Sequence, residues 1–349
     1  MSRASPALAP GPMRFFFARA VFVGLCALVV GVLRAFDLEL PRTTNAPVNV
    51  PPACGRARGR RRAQEDQCVA SVIIESERVV RFVGVFDGHD GDEASTTAAG
   101  RLSQTLEDTL GTSADVADAL RATVKRVDDD WNRVNSSSSA GTTVVIAASD
   151  GSDGFVVAHA GDSAAHTCFA DANGRVRARK LTNEHGLDDR GEWARLNALG
   201  IDVVESRGDW RVGGEFLVTR AIGGAGHKKL GIVATPEVTR GRWRDEDFGI
   251  IVTSDGTMER LRADEVCDFV FGAARECESV EAASVVTLDG APGSSEDVAS
   301  DIWDEVIVDG SLQNMREGIT RALKCALERG SSDNVALGSI SSQRLAHRG

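Results

Sequence analysis

The run Val83-Gly84-Val85-Phe86-Asp87-Gly88-His89-Asp90-Gly91 carries an apolar, β-like segment straight into an acidic, glycine-rich turn. The residues up to Phe86 read as a buried strand, which Asp87 and Gly88 end. A carboxylate at such a strand end is costly unless it is paired, hydrogen-bonded or bound to a cation. The arrangement recurs along the chain. Asp162 follows the strand-like Phe155–Ala160 run and Gly161, Asp255 follows Ile250-Ile251-Val252-Thr253-Ser254, and Asp333 precedes Val335–Ile340. One such aspartate is an ordinary turn former. Several converging from different strands repel one another unless a metal neutralises them.

Further β-like runs are expected at Val72–Ile74, Val79–Phe86, Thr142–Ala148, Phe216–Thr219 and Gly249–Thr253. Helical spacing is seen at Ala94, Ala98, Leu102, Leu106 and Leu110, and again at Val116, Leu120, Val124, Val127 and Trp131. Thr112 with Asp115 predicts a capping box for the second helix. Two more helices are expected at Glu192–Leu199 and Leu312–Glu328, and the Asp-, Ser- and Gly-rich stretch Thr287–Asp301 reads as a solvated insertion. The strands do not alternate one-for-one with helices. That order predicts an α+β class of layered sheets flanked by helices, in place of a doubly wound parallel sheet.

A chain of 349 residues, 42% hydrophobic and 26% charged, is in the globular range and excludes collagen-like, wholly disordered and polytopic membrane classes. The net charge of -11 argues against a nucleic-acid partner. At the N-terminus Arg3, Arg14, Arg19 and Arg34 flank or precede the uninterrupted apolar run Ala20–Leu33, ahead of the first acid, Asp37. Residues 1–40 therefore read as a targeting or anchor segment, either a secretory signal or membrane anchor or an organelle import peptide for chloroplast or mitochondrion. Residues 41–55 read as a Pro-rich linker, and 56–345 as the folded domain. Of the seven cysteines none forms a Cys-x-x-Cys pair, so a zinc ribbon is excluded. Six lie beyond residue 36 and are compatible with disulfides, but a chain this long needs no such staples, so free buried thiols are the plainer reading and the redox compartment stays open.

The ordered motifs resemble those of the type 2C protein phosphatases, the metal-dependent serine/threonine phosphatases of the PPM family. Phe86-Asp87-Gly88-His89-Asp90-Gly91 is similar to the family's F-D-G-H-G-G, Glu65-Asp66 to its E-D pair, and Gly161-Asp162-Ser163 to its G-D-S. Ala140-Gly141-Thr142-Thr143 is similar to S-G-S-T, Leu181-Thr182 through His185 with Glu192 and Arg195 to L-T-x-D-H and E-x-x-R, and Thr219-Arg220-Ala221-Ile222-Gly223 to S-R-A-x-G. Ser254-Asp255-Gly256 and Ser332-Asp333-Asn334 complete a match running from about Arg61 to Ile340.

The resemblance implies a four-layer α/β/β/α sandwich of two mainly antiparallel sheets. It implies a monomer that acts on phosphoproteins with two Mg²⁺ or Mn²⁺ ions, a water between them attacking the phosphoester. Asp87 would bridge the ions, with Glu65 and the Gly88 carbonyl on one and Asp255 and Asp333 on the other. Asp162 with Asp255 would offer a weaker third site. All-oxygen ligands suit hard cations over zinc. Arg61 matches the phosphate-binding arginine, His89 the general acid, and Asp66 a residue that orients a water.

Three positions depart from the family pattern. Gly224 replaces the aspartate after R-A-x-G, Ala164 the arginine after G-D-S, and Glu259 an aspartate. Trp193 and Trp210 are candidates for a substrate-facing flap, or for core. A pseudophosphatase that only binds phosphoproteins is the rival, and it has no physical need for Glu65, Asp87, Asp255 and Asp333 together. A metal-dependent nuclease is disfavoured by the acidic balance.

Overall fold

The computed structural model describes residues 51–342 apart from 76–77, 152, 207, 273, 275 and 278–312, all within the unit Asn49–Gly349. The expected targeting segment, most of the expected linker and the Thr287–Asp301 insertion lie outside the described residues. Among the described residues no helix is long and apolar enough to cross a membrane.

β1 (Ala53–Ala57), β2 (Gln67–Glu75), β3 (Arg78–Phe86) and the short β4 (Gly88–His89) precede two long helices, α1 (Glu93–Leu110) and α2 (Val116–Val134). There follow β5 (Gly141–Thr142), β6 (Val144–Ser149), β7 (Gly154–Ala160), β8 (Ala164–Ala170) and β9 (Val176–Lys180), then α3 (Arg190–Ala198) and the hairpin β10 (Val203–Ser206) and β11 (Asp209–Val212). β12 (Ile222–Gly223), the one-turn α4 (Ala225–Lys228), β13 (Glu237–Arg242), β14 (Asp247–Thr253) and the one-turn α5 (Asp255–Met258) come next. The described chain ends with α6 (Ala263–Phe271), α7 (Gln313–Glu328) and β15 (Val335–Ser341).

Two five-stranded antiparallel sheets, ordered β13-β7-β6-β3-β2 and β1-β15-β14-β8-β9, stack face to face. Side-chain alternation explains how each sheet serves two layers. On β3, Val83 and Val85 join Ile250, Val252, Ala336 and Ile340 between the sheets, while Phe82 and Phe86 face Leu102, Leu106, Leu120 and Val124 of α1 and α2. On β14, Ile251 points the other way, to Val266 of α6 and Ile319 and Leu323 of α7. Strands apolar on both faces read as unbroken hydrophobic runs, and the expected four-layer sandwich is what they build.

Both expected helical stripes are buried. The capping box is not as expected. Asp115 itself caps α2, accepting from the Asp118 N–H at 3.0 Å, whereas Thr112 Oγ1 donates back to Thr109 O. Phe216–Thr219 is not a regular strand but a loop with isolated bridges Val212↔Phe216 and Gly186↔Val218. Of the two readings of the cysteines, the plainer one, free thiols, is overturned. Cys54–Cys68, Cys168–Cys267 and Cys277–Cys325 are disulfides. Periodicity could not pair them, because partners 14, 99 and 48 residues apart meet only through tertiary packing: β1 against β2, α6 against β8, and the segment after α6 against α7. β1, whose first residues were assigned to the linker, pairs antiparallel with β15.

Candidate active site

The acids stand at the ends of strands in both central sheets. Asp87 leaves β3, Asp162 lies between β7 and β8, Asp255 opens α5 after β14, and Asp333 stands two residues before β15. Local bonds fix each turn. The Asp87 carbonyl accepts from the Thr143 N–H at 2.8 Å and from Thr142 Oγ1 at 3.0 Å. Gly256 lets the last two turns meet: a Cβ there would collide with the Asn334 carbonyl and come 2.8 Å from Asp333 Cβ. Asp162, Asp255 and Asp333 line one cleft of about 490 Å³ with Ala164, His166 and Lys180.

The electrostatics are those of crowded carboxylates. Burial, followed by Asp66, Asp255 and Asp162, pushes the Asp87 carboxyl well above its ordinary range. Asp66, 1% exposed, is pushed up to about 8, by burial first and then by Asp255 and Asp333 against a lowering bond from Ser254. Burial and Asp255 push Asp162 up to about 7. Asp333 is raised too, chiefly by burial. Asp66 Oδ2 is buried and has no hydrogen-bond partner. Orphaned oxygen and mutually repelling acids fit a donor set built for hard divalent cations.

Glu65 is held by both its side chain and its backbone. Its Oε1 accepts from the Gly91 N–H at 2.8 Å, and its carbonyl accepts from Ser95 Oγ. Arg61 reaches Asp333 Oδ2 at 2.6 Å and the Ser332 carbonyl at 3.0 Å. His89, on β4, buries an unpartnered Nε2 and turns Nδ1 toward Asp90 Oδ2, 3.7 Å away. The tightest triplets of ligand atoms among the described residues are not the expected carboxylates. They are His89, Asp90 and His227, and His159, His185 and Glu237, each with ligand atoms mutually within 4.8 Å.

The family model for Protein phosphatase 2C matches residues 52–315. The chain belongs to this family. The Oryza sativa relative called probable protein phosphatase 2C 32 is 32% identical over 221 residues, covering 62% of this chain and 54% of its own. Protein phosphatase 1K, mitochondrial, of Xenopus laevis is 27% identical, covering 70% of this chain and 65% of its own. Among solved structures, a Toxoplasma gondii serine-threonine phosphatase 2C superposes with a TM-score of 0.60 at 18% identity, covering 84% of this chain and 98% of that one, which speaks for the fold alone. The chain spans 54% and 61% of the length of two plant relatives that it matches.

Within this protein phosphatase 2C fold, several motif residues prove to be scaffolding. Glu192 is a buried hub: Arg220 lies 2.6 Å from Oε1, while Arg195 at 2.8 Å and Thr219 Oγ1 at 2.6 Å reach Oε2. Burial alone would raise Glu192, but Arg220, Arg195 and Thr219 outweigh it and hold the carboxyl at about 2. Trp193 and Trp210 form an edge-to-face pair 5.5 Å apart, 37% and 49% exposed, so neither is core. Sequence reasoning gave no role to Asn334, which accepts from the Glu65 N–H at 2.9 Å and donates to the Arg58 and Ala63 carbonyls. Its place beside Asp333 was the available signal. Asp90 and His227 were missed as well, although Asp90 occupies a glycine position of the family motif.

Proposed function

We propose that this protein phosphatase 2C hydrolyses phosphoserine and phosphothreonine in proteins, using two Mg²⁺ or Mn²⁺ ions. Asp87 would be shared between them, with Glu65 and the Gly88 carbonyl on one side and Asp255 and Asp333 on the other. Asp162 with Asp255 would hold a weaker third. When bound, the ions would supply an activated water and neutralise phosphoryl charge. The chain's own groups do the rest. The Arg61 fork would hold two phosphoryl oxygens, exchanging its bond to Asp333 for the substrate. Asp66, through its free Oδ2, would orient a water at the centre. His89 would give a proton to the departing serine or threonine oxygen, a poor leaving group without one.

The observation that carries this reading is the buried, partnerless Oδ2 of Asp66 in a crowd of acids where the carboxyls of Asp66, Asp87 and Asp333 are all raised. A binding-only pseudophosphatase would gain nothing from acids that repel a phosphate dianion. The full chain should release inorganic phosphate from a phosphothreonine peptide with Mn²⁺ and stop when a chelator is added. Mn²⁺ uptake without phosphate release would favour the binding-only reading.

For residues 1–40 we read a secretory or anchoring signal ahead of organelle import. Three disulfides belong to oxidising compartments, which supports that choice. A reporter fused to residues 1–40 should enter the secretory pathway, and a diffuse cytosolic or organellar signal would overturn it.

A further inference from the structure

Two departures from the family pattern meet in space. Asp90 stands at a glycine position and keeps a left-handed backbone, φ 57°, a region that costs most residues but that Asp tolerates. Gly224 stands where the family has aspartate, and it too is left-handed, at φ 60°. A Cβ on Gly224 would collide with His227 Nδ1, so losing that side chain is what admits the His227 ring. The ring's other end, Nε2, faces Asp90 Oδ2 at 3.9 Å. His227 is buried, its side chain 10% exposed, and no hydrogen bond engages its imidazole among the described residues. Phe216 covers it, ring centroids 3.8 Å apart, and the His89 ring lies near-parallel at 5.8 Å.

We propose that His89 Nδ1, Asp90 Oδ2 and His227 Nε2 form a second cation site, for a borderline divalent ion of the zinc class, whose occupancy inhibits the enzyme. Two imidazoles and one carboxylate are the donor set such ions favour and that Mg²⁺ declines. Four-coordinate zinc, with N and O ligands at about 2.0–2.2 Å, sets its donors about 3.3 Å apart. The pairs at 3.7 and 3.9 Å need to close by only a few tenths of an ångström, and no pair exceeds 4.8 Å. A water would complete the four-coordinate shell. Ion and proton would compete for the His89 Nδ1 lone pair, so occupancy withdraws His89 from proton donation. The inhibitory part rests on the proposed function, but the binding part does not.

The test is calorimetric titration of the full chain with Zn²⁺ in millimolar Mg²⁺, which keeps the carboxylate centre filled, with Co²⁺ absorption as a coordination signature. We expect one Zn²⁺ site, weakened at least about tenfold by His227→Ala and by Asp90→Gly but changed less than about threefold by Asp87→Asn. Co²⁺ should give the intense visible bands of a four-coordinate imidazole site in the wild type and lose them in both site variants. If His227→Ala fails to fold, Asp90→Gly carries the test alone, because its backbone already suits glycine. Unchanged Zn²⁺ affinity in Asp90→Gly overturns the site, and so does loss of Zn²⁺ uptake in Asp87→Asn. In phosphate release, Zn²⁺ should inhibit the wild type and spare Asp90→Gly. A chain that takes up Zn²⁺ as expected but never hydrolyses phosphopeptide refutes the phosphatase reading and leaves the site standing.

Discussion

Arg61 Nη2 lies 2.6 Å from Asp333 Oδ2, so the arginine assigned to the substrate phosphate is bonded to a carboxylate assigned to an ion. The two roles oppose each other. Arg61→Ala should raise KM for a phosphopeptide at least about tenfold through loss of the charged fork. The same variant should bind Mn²⁺ at least as tightly as the wild type, because Asp333 is relieved of a competing cation. Weaker Mn²⁺ binding in calorimetry would contradict this.

Asp87→Asn should lower turnover by at least about a thousandfold, since a ligand shared between two ions, the role proposed for Asp87, would be the one neither could spare. Without ions the change should stabilise the fold at neutral pH, because burial, then Asp66, Asp255 and Asp162, force the Asp87 carboxyl to take up a proton on folding, and Asn is spared that cost. About 1 kcal/mol corresponds to about 2–4 °C in Tm for a domain of this order of size. A calorimetric scan of the chelator-treated chain showing a lower Tm would sink this account.

His89→Ala should slow phosphopeptides far more than p-nitrophenyl phosphate, whose phenolate leaves without a proton. Equal losses on both substrates would argue against proton donation.

The ion-free chain should lose stability as pH rises from about 6.5 to 8. Asp66 and Asp162, raised from 3.8 to about 8 and about 7, stay protonated in the folded state while the unfolded chain ionises them. Their contribution is complete below 3.8 and is lost as pH climbs through the folded values. Buried histidines act in the opposite sense. His185 is lowered from 6.5 to about 3 and His166 to about 4, so their contribution is present above 6.5 and lost below it. Only the acids therefore act in the upper window. Urea unfolding at several pH values checks the slope, and saturating Mn²⁺ or Asp66→Asn should flatten it.

Cys168→Ala should destabilise the domain by about 2–5 kcal/mol, since Cys168–Cys267 closes a long loop and both cysteines are fully buried. Reductant should lower Tm in the wild type and less in the variant.

The parts legible in the sequence are those that local chemistry dictates. Strand-end aspartates and helical stripes such as Leu102 and Leu106 follow from period and turn chemistry, and they led to the family and the sandwich. What stayed hidden depends on tertiary neighbours. Cys168 and Cys267 meet because α6 packs against the sheet containing β8. Glu192 read as part of a motif but is an electrostatic knot joining α3 to the Thr219–Arg220 segment. Phe216–Thr219 has strand composition, yet it forms only isolated bridges with neighbouring segments. His227 carried no signal on its own, because its meaning comes from the missing side chain of Gly224.

The cross-links bear on how the molecule would live with its cations. Cys54–Cys68 ties β1 to β2, and Cys168–Cys267 and Cys277–Cys325 fasten α6, the segment after it and α7. Sulfur bonds, unlike coordinated ions, do not come and go with the surrounding concentration of magnesium or manganese. A chain so fastened would outlast mineral scarcity as a dormant but intact body, and resupply would wake it within the time of diffusion, with no fresh synthesis.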